Sequence, residues 1–183
     1  MNDLIRVSDV LRPYQDWSAV PDRYMEPALE RGSIVHLWCR NYALKIWMPV
    51  SLDQYRGYIE SFRGWFDRYV QKVFFVENRF DDPDLGFTGQ PDLGCILRGE
   101  TDPLIVDYKT SAMTQKVWLC QVSAYIELAR KNGIPVKRGG SLKLNGEGRS
   151  AKFVPVDYSA EAFSIFLSAL NAHRWLKGDN HGL

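Results

Sequence analysis

The sequence lacks the marks of a membrane-spanning, secreted or polyelectrolyte chain. No apolar run approaches the roughly 18 residues that cross a bilayer, and the opening stretch MNDLIRVSDVLRPY has no apolar block of the kind that heads a secretory leader. No membrane partner and a cytoplasmic location are therefore expected. Cysteine is sparse. Cys39, Cys95 and Cys120 are scattered, form no C-x-x-C pair and cannot all pair within one chain, which fits a reducing compartment. An excess of one charge is missing too: 23 Lys+Arg stand against 22 Asp+Glu, a net charge of +1. That excludes binding to polyanions through bulk charge alone, so any such site must be a local patch. There is no G-x-x-x-x-G-K-[ST] loop and so no P-loop motor. Internal repeats and low-complexity linkers are also absent.

What is present reads as one domain over residues 1–183. That length, with 45% hydrophobic residues, supports a sizeable core. A charged fraction of 25% is ordinary for a folded protein, and 13% aromatics leave rings for surfaces. Residues 1–22 read as a loop-rich lead-in, with Ser8 capping one helical turn before Pro13. Asp22 opens a helical region over 23–71. Leu29, Ile34, Leu37, Trp38 and Leu44 recur at helical spacing over 27–47, and Pro49 stops the helix. Ser51 and Gln54 form a capping box for a second helix to about Gln71. The period then changes. VFFVENRF (73–80), the Gly-rich stretch 86–99 and PLIVDYKT (103–110) read as three strands, the last buried centrally. A helix follows over 115–131, ended by Asn132-Gly133. Strands at 136–144 and 152–156 precede a last helix capped by Ser159. The core, 72–158, is thus an α/β arrangement with a mixed central sheet, extra helices before it and one after.

The chemistry is concentrated in residues 77–125. Asp92, in Gly89-Gln90-Pro91-Asp92, and Asp107, in Asp107-Tyr108-Lys109, lie on consecutive predicted strands. Asp107 and Lys109 are two apart on one strand and project from one face. Two adjacent carboxylates repel unless a cation intervenes. A divalent ion such as Mg²⁺, held by one or two carboxylates with water and phosphate oxygens, resolves that conflict. It can activate water and stabilise charge on a phosphoryl oxygen. A neighbouring lysine can orient the water or neutralise the transition state.

Four ordered motifs carry a resemblance. They are Gly32-Ser33-Ile34-Val35-His36 on a helix, G-x-P-D at 89–92, I-V-D-Y-K-T at 105–110 and Gln121-x-x-x-Tyr125 on the following helix. Together they resemble the PD-(D/E)XK nuclease superfamily. The match is to its RecB-like exonuclease branch, which includes RecE-type phage exonucleases and mitochondrial genome-maintenance exonucleases. The resemblance implies a restriction-endonuclease-like core with αβββαβ order. It implies hydrolysis of DNA phosphodiester bonds, with one or two Mg²⁺ or Mn²⁺ ions and a place in phage-type recombination or repair. It also implies DNA as partner, a single-strand annealing or other recombination protein as a further one, and host cytoplasm as the setting if phage-encoded. It makes Asp92 and Asp107 metal ligands, with the Tyr108 carbonyl, His36 and, less directly, Glu77 beside them. Lys109 acts on the attacking water, and Gln121 and Tyr125 contact substrate or brace the site. Relatives with an iron–sulfur cluster use three cysteines near the C-terminus. No cysteine follows Cys120 here, so no cluster is expected.

Other readings stay open at this stage. Thr110, Ser111 and Lys116 can donate to phosphates, and Trp118 can stack on a base or be buried. Lys131, Lys137, Arg138, Lys143, Arg149 and Lys152 can track a phosphate backbone, or be the solvated face of a hairpin. Gly32 in a helix interior costs roughly 1 kcal/mol against Ala, which suggests close approach of a chain or ligand. A catalytically silent DNA-binding module and an endonuclease on the same fold are the alternatives to an exonuclease.

Overall fold

A computed structural model of the chain describes residues 4–18, 21–47, 53–111 and 113–177. Its centre is a mixed five-stranded sheet, and β6 (Leu104–Lys109) is the middle strand. β5 (Leu93–Leu97) lies antiparallel on one side of β6, with β2 (Val70–Val76) beyond it. β7 (Arg138–Lys143) lies parallel on the other side, followed by antiparallel β8 (Lys152–Asp157). The parallel step needs a crossover, which α4 (Val117–Lys131) supplies. The LIV run occupies the centre as expected: Leu104, Ile105 and Val106 are fully buried.

Helices cover both faces of this sheet. Leu104, Val106 and Tyr108 point toward α2 (Met25–Ala43) and α3 (Arg56–Tyr69), packing with Val35, Cys39, Phe62 and Trp65. Ile105 points the other way, toward α1 (Val7–Leu11), α4 and α5 (Ala160–Lys177), packing with Val10, Val122, Ile126 and Phe166. The alternation is the period of a strand buried on both sides. Each such side chain contributes roughly 1.5–3 kcal/mol of burial. No helix among the described residues is long and apolar enough to cross a membrane.

A second sheet has three strands, in the order β1–β4–β3. β1 (Ile5–Arg6) runs parallel to β4 (Phe87–Gly89), and β3 (Phe80–Asp82) antiparallel to it. This sheet lies against α4, so closely that a Cβ on Gly89 would come within 2.7 Å of Leu128 and 2.8 Å of Tyr125.

Several expectations change. The helical turn expected before Pro13 is present as α1, but Ser8 lies inside it and its N-cap is Arg6; Val7, Val10 and Leu11 are buried, so the lead-in joins the core. α2 ends at Ala43. The Lys45 N–H donates to the Tyr42 carbonyl and the Ile46 N–H to the Asn41 carbonyl, with Lys45 at φ 58°. That is a Schellman turn with lysine in the position that usually takes glycine. Pro49 and Ser51, the expected stop and cap, lie outside the described residues. The stretch 73–80 is not one strand: it breaks at Glu77, leaving β2 in one sheet and β3 in the other. The stretch 86–99 likewise splits into β4 and β5 around Gln90-Pro91-Asp92. The acidic run Asp81-Asp82-Pro83-Asp84 begins inside β3: Asp82 is buried, accepts from the Leu85 N–H, and pairs with Lys131 at 2.6 Å. Ser159 caps α5 as expected, accepting from the Ala162 N–H at 3.1 Å.

Candidate active site

The site forms where the two sheets separate. The β5–β6 ladder ends at the pair Leu93–Val106. Beyond it, Asp92 takes the place of a strand partner: the Tyr108 N–H donates to Asp92 Oδ2 at 2.6 Å. The Lys109 carbonyl accepts from the Leu144 N–H on the opposite edge, after β7. Backbone groups alternate edges along a strand, so the Tyr108 carbonyl faces the same edge as Asp92. Asp107 and Lys109 project from the β6 face that meets α4. Asp92 is 7% exposed and Asp107 4%.

Glu77 holds the turn that presents Asp92. Its N–H donates to the Asp92 carbonyl at 3.0 Å, and its own carbonyl accepts from Gln90 Nε2 at 2.8 Å. Glu77 has φ 49°, a left-handed conformation that costs a non-glycine residue roughly 1–2 kcal/mol. The strand break therefore places the Glu77 side chain at the site, where Oε2 pairs with Arg40 Nε at 3.2 Å. His36 comes from α2. Its Nδ1 is 3.1 Å from Asp92 Oδ1, and its ring lies edge-on to Tyr108 at 5.6 Å.

Lys109 is clamped from several directions. Its Nζ is 2.6 Å from Asp107 Oδ2 and donates to Gln121 Oε1 at 2.8 Å. Gln121 Nε2 in turn donates to Tyr125 Oη at 3.1 Å. The Trp118 ring lies beside the ammonium, 5.3 Å away. The one-turn spacing of Gln121 and Tyr125 lets both reach down the same side of α4.

Three acids meet here, each beside a basic group: Asp92 beside His36, Glu77 beside Arg40 and Asp107 beside Lys109. Burial raises the Asp107 pKa; Lys109 opposes the rise and Asp92 adds to it. Burial and then Asp92 raise Glu77, against Arg40 and His36. Burial alone would lower His36, but Asp92 and then Asp107 outweigh it and lift the imidazole above its ordinary value. Burial and Asp107 push Tyr125 up, so it stays a neutral phenol. Among the described residues no three His, Cys, Asp or Glu side chains form a ready-made ion cage. The donor set, carboxylate oxygens with one imidazole, nonetheless fits a hard divalent cation that keeps water and substrate oxygens in its shell. The three thiols are buried and have raised pKa values.

Two clefts meet at this point, sharing His36 and Lys109. The first, about 580 Å³, is polar: Arg6, Glu77, Arg79, Gln90, Asp92 and Asp107 are among its walls. The second, about 470 Å³, carries Trp17, Leu29, Met113 and Trp118 with Arg31 and Thr110. His36, Glu77, Asp92, Asp107, Lys109, Gln121 and Tyr125 all line the first cleft. Gln121 and Tyr125 contact each other and the lysine, which makes them braces. Thr110, Ser111 and the backbone-bearing Tyr108 line the second cleft. Lys116 does not reach the site: it is exposed at the N-cap of α4 and lines neither cleft. Gly32 lines the second cleft, and the nearest atom to a Cβ there, Thr110 Oγ1, would be 3.9 Å away. No close approach within the chain demands this glycine.

The basic stretch 131–152 is largely neutralised. Lys131 pairs with Asp82 and Asp84, Lys137 with Asp102, Arg138 with Glu100, and Arg149 with Glu147. Most of these acids lie in segments remote in sequence, so counting charges along 131–152 misses them. Arg6 and Trp17 were also missed, because a two-residue strand and an irregular loop carry no periodic signal.

No protein-family model matches the chain, and no curated protein is similar to it in sequence. Its fold is similar to that of a solved protein described as "Crystal structure of SSO0001". The TM-score is 0.53 at 14% identity, over 98% of this chain and 78% of that one. The similarity is one of fold: an α/β protein with mixed sheets flanked by helices.

Proposed function

We propose that the chain is a metal-dependent deoxyribonuclease, an exonuclease with a restriction-endonuclease-like core of the RecB-like type. One observation carries the reading: two buried carboxylates, Asp92 from the turn before β5 and Asp107 from β6, converge beside a lysine held by Asp107 and Gln121. Burying two carboxylates this close together is costly, and a core that needed only stability would not gather them. The chain order through the large sheet, α3–β2–β5–β6–α4–β7, is the αβββαβ series expected of that core.

Asp92, Asp107, the Tyr108 carbonyl and His36 would hold one or two Mg²⁺ or Mn²⁺ ions, with Glu77 adjacent. Such an ion, when bound, stabilises charge on the phosphoryl oxygens and makes water a better nucleophile. The residues do the rest. The Tyr108 N–H fixes the Asp92 carboxylate, and His36 constrains its other oxygen. Gln121 and Asp107 aim the Lys109 ammonium toward the carboxylates, where a positive charge can orient water and offset the charge developing at phosphorus. Tyr125 orients Gln121. A role in phage-type recombination or repair, in host cytoplasm and beside a single-strand annealing partner, follows from the family resemblance alone.

Digestion of end-labelled linear DNA with added Mn²⁺, alongside closed circles, tests the proposal. Linear DNA shortening from an end while circles persist is the expected result. Cleavage of circles would indicate an endonuclease. Binding without any cleavage would indicate a silent DNA-binding module.

A further inference from the structure

We propose that the second cleft seats the base of an unpaired nucleotide next to the scissile phosphate, which makes single-stranded DNA the preferred substrate. The inference rests on the nuclease reading and names the substrate form that the same site takes.

The two clefts meet at His36 and Lys109 but differ in character. The first is walled by charged and amide groups and offers little for a base to stack on. The second places apolar surface beside the reaction centre: Leu29 is 46% exposed and Met113 50%, with Trp17 half-buried nearby. Flat, sequence-tolerant stacking is how strands without a partner are gripped. A paired base must first be unstacked and unpaired, at a cost of a few kcal/mol, so an unpaired one enters a recess of this kind more readily.

The recess is braced. The Asp16 N–H donates to Gln115 Oε1 at 3.2 Å, and Gln115 Nε2 donates back to the Asp16 carbonyl at 3.0 Å. Ser18 closes a local turn onto Asp16 Oδ1 through its N–H and hydroxyl, at 2.9 and 2.6 Å. Trp17 is thereby held between two anchored residues. A positive charge accompanies the apolar wall. Arg31 lines the cleft, stacks over Tyr58 at 5.6 Å, and has its Nε buried without a hydrogen-bond partner among the described residues. A buried donor left unpaired is costly, and a guanidinium suits a phosphate. Gly32, with no side chain to obstruct, leaves the space beside Thr110 open.

The test uses the full chain with Mn²⁺ and end-labelled oligonucleotides, single-stranded and blunt duplex. An abasic site is walked one nucleotide at a time from the labelled end. The wild type is expected to favour single strands and to slow about tenfold or more when the abasic position reaches the cleft, the loss of one stacked base. Trp17→Ala is expected to slow cleavage of the intact strand by a similar factor and to show no further loss on the abasic one. Gly32→Met, which fills the recess from the other side, should behave alike. Independent, multiplying losses, or duplex cleaved as fast as single strands by all three proteins, would overturn the base-seating role and leave the nuclease reading standing. No cleavage of any DNA by the wild type would overturn both.

Discussion

The Tyr108 N–H donates to Asp92 Oδ2 at 2.6 Å, so the carboxylate of one strand end is hung on the backbone of the strand that carries Asp107 and Lys109. The three groups cannot drift apart without breaking a buried, charge-assisted hydrogen bond. Asp92→Asn and Asp107→Asn should therefore reduce DNA cleavage in Mn²⁺ by roughly a thousandfold or more, equivalent to about 4 kcal/mol of transition-state stabilisation. Binding of DNA to Asp107→Ala should survive. Turnover and a filter-binding assay on the same substrate check both, and full activity in either variant would refute the metal site.

Lys109→Ala should remove most turnover and leave metal affinity largely intact. Gln121→Leu acts one step back: it removes the acceptor that holds Nζ, and a loss of roughly 10–100-fold is expected, as for other supporting contacts around a metal site. Wild-type turnover in the Gln121 variant would mean that Asp107 alone positions the lysine.

The raised Asp107 pKa gives a stability prediction with a definite sign. The folded state holds that proton more tightly than the unfolded chain. Its contribution is present below the usual carboxylate range and lost as pH rises through the folded value. Without metal, Asp107→Asn should thus gain melting temperature relative to wild type as pH goes from about 4 to 7. Mn²⁺ should reverse the order. At about 100 times its Kd it adds about 2.7 kcal/mol to the wild type, roughly 5–10 °C for a chain of this size, and little to the variant. Thermal melts across pH, with and without Mn²⁺, decide it.

Gly32→Ala should stabilise the protein by up to about 1 kcal/mol, since α2 has room for the methyl and helix propensity favours it. A urea titration gives the sign. A large destabilisation would show that the cleft is narrower than described.

Because Lys137 and Arg149 are paired within the chain, Lys137→Ala and Arg149→Ala should change DNA affinity by less than about twofold and leave its salt slope unaltered. Each genuine phosphate contact would lower that slope by about one. Affinity measured over a range of NaCl separates the cases.

The regular parts of the fold were legible because they obey a period. The LIV run, α4 with its Asn132-Gly133 end, and the Ser159-capped α5 each appear where the pattern places them. Asp107 and Lys109 share a face for the same reason. Glu77 shows the opposite case. Residues 73–76 and Phe80 are strand formers, and the polar Glu77-Asn78 between them is a weak local sign of a break. The break itself is imposed by hydrogen bonds to Asp92 and Gln90, which lie on another part of the chain. The strand in the lead-in is hidden for a similar reason. Ile5 and Arg6 form too short a strand to show alternation, and only pairing with Phe87 and Thr88 makes them one.

That short parallel pairing governs what can be attached to the protein. Ile5 is bonded to Gly86, and Arg6 and Ser8 stand in the wall of the first cleft. A probe carried on either side chain stands in that wall rather than outside it, so a fluorophore on a cysteine at exposed Ser8 would sense whatever enters the cleft.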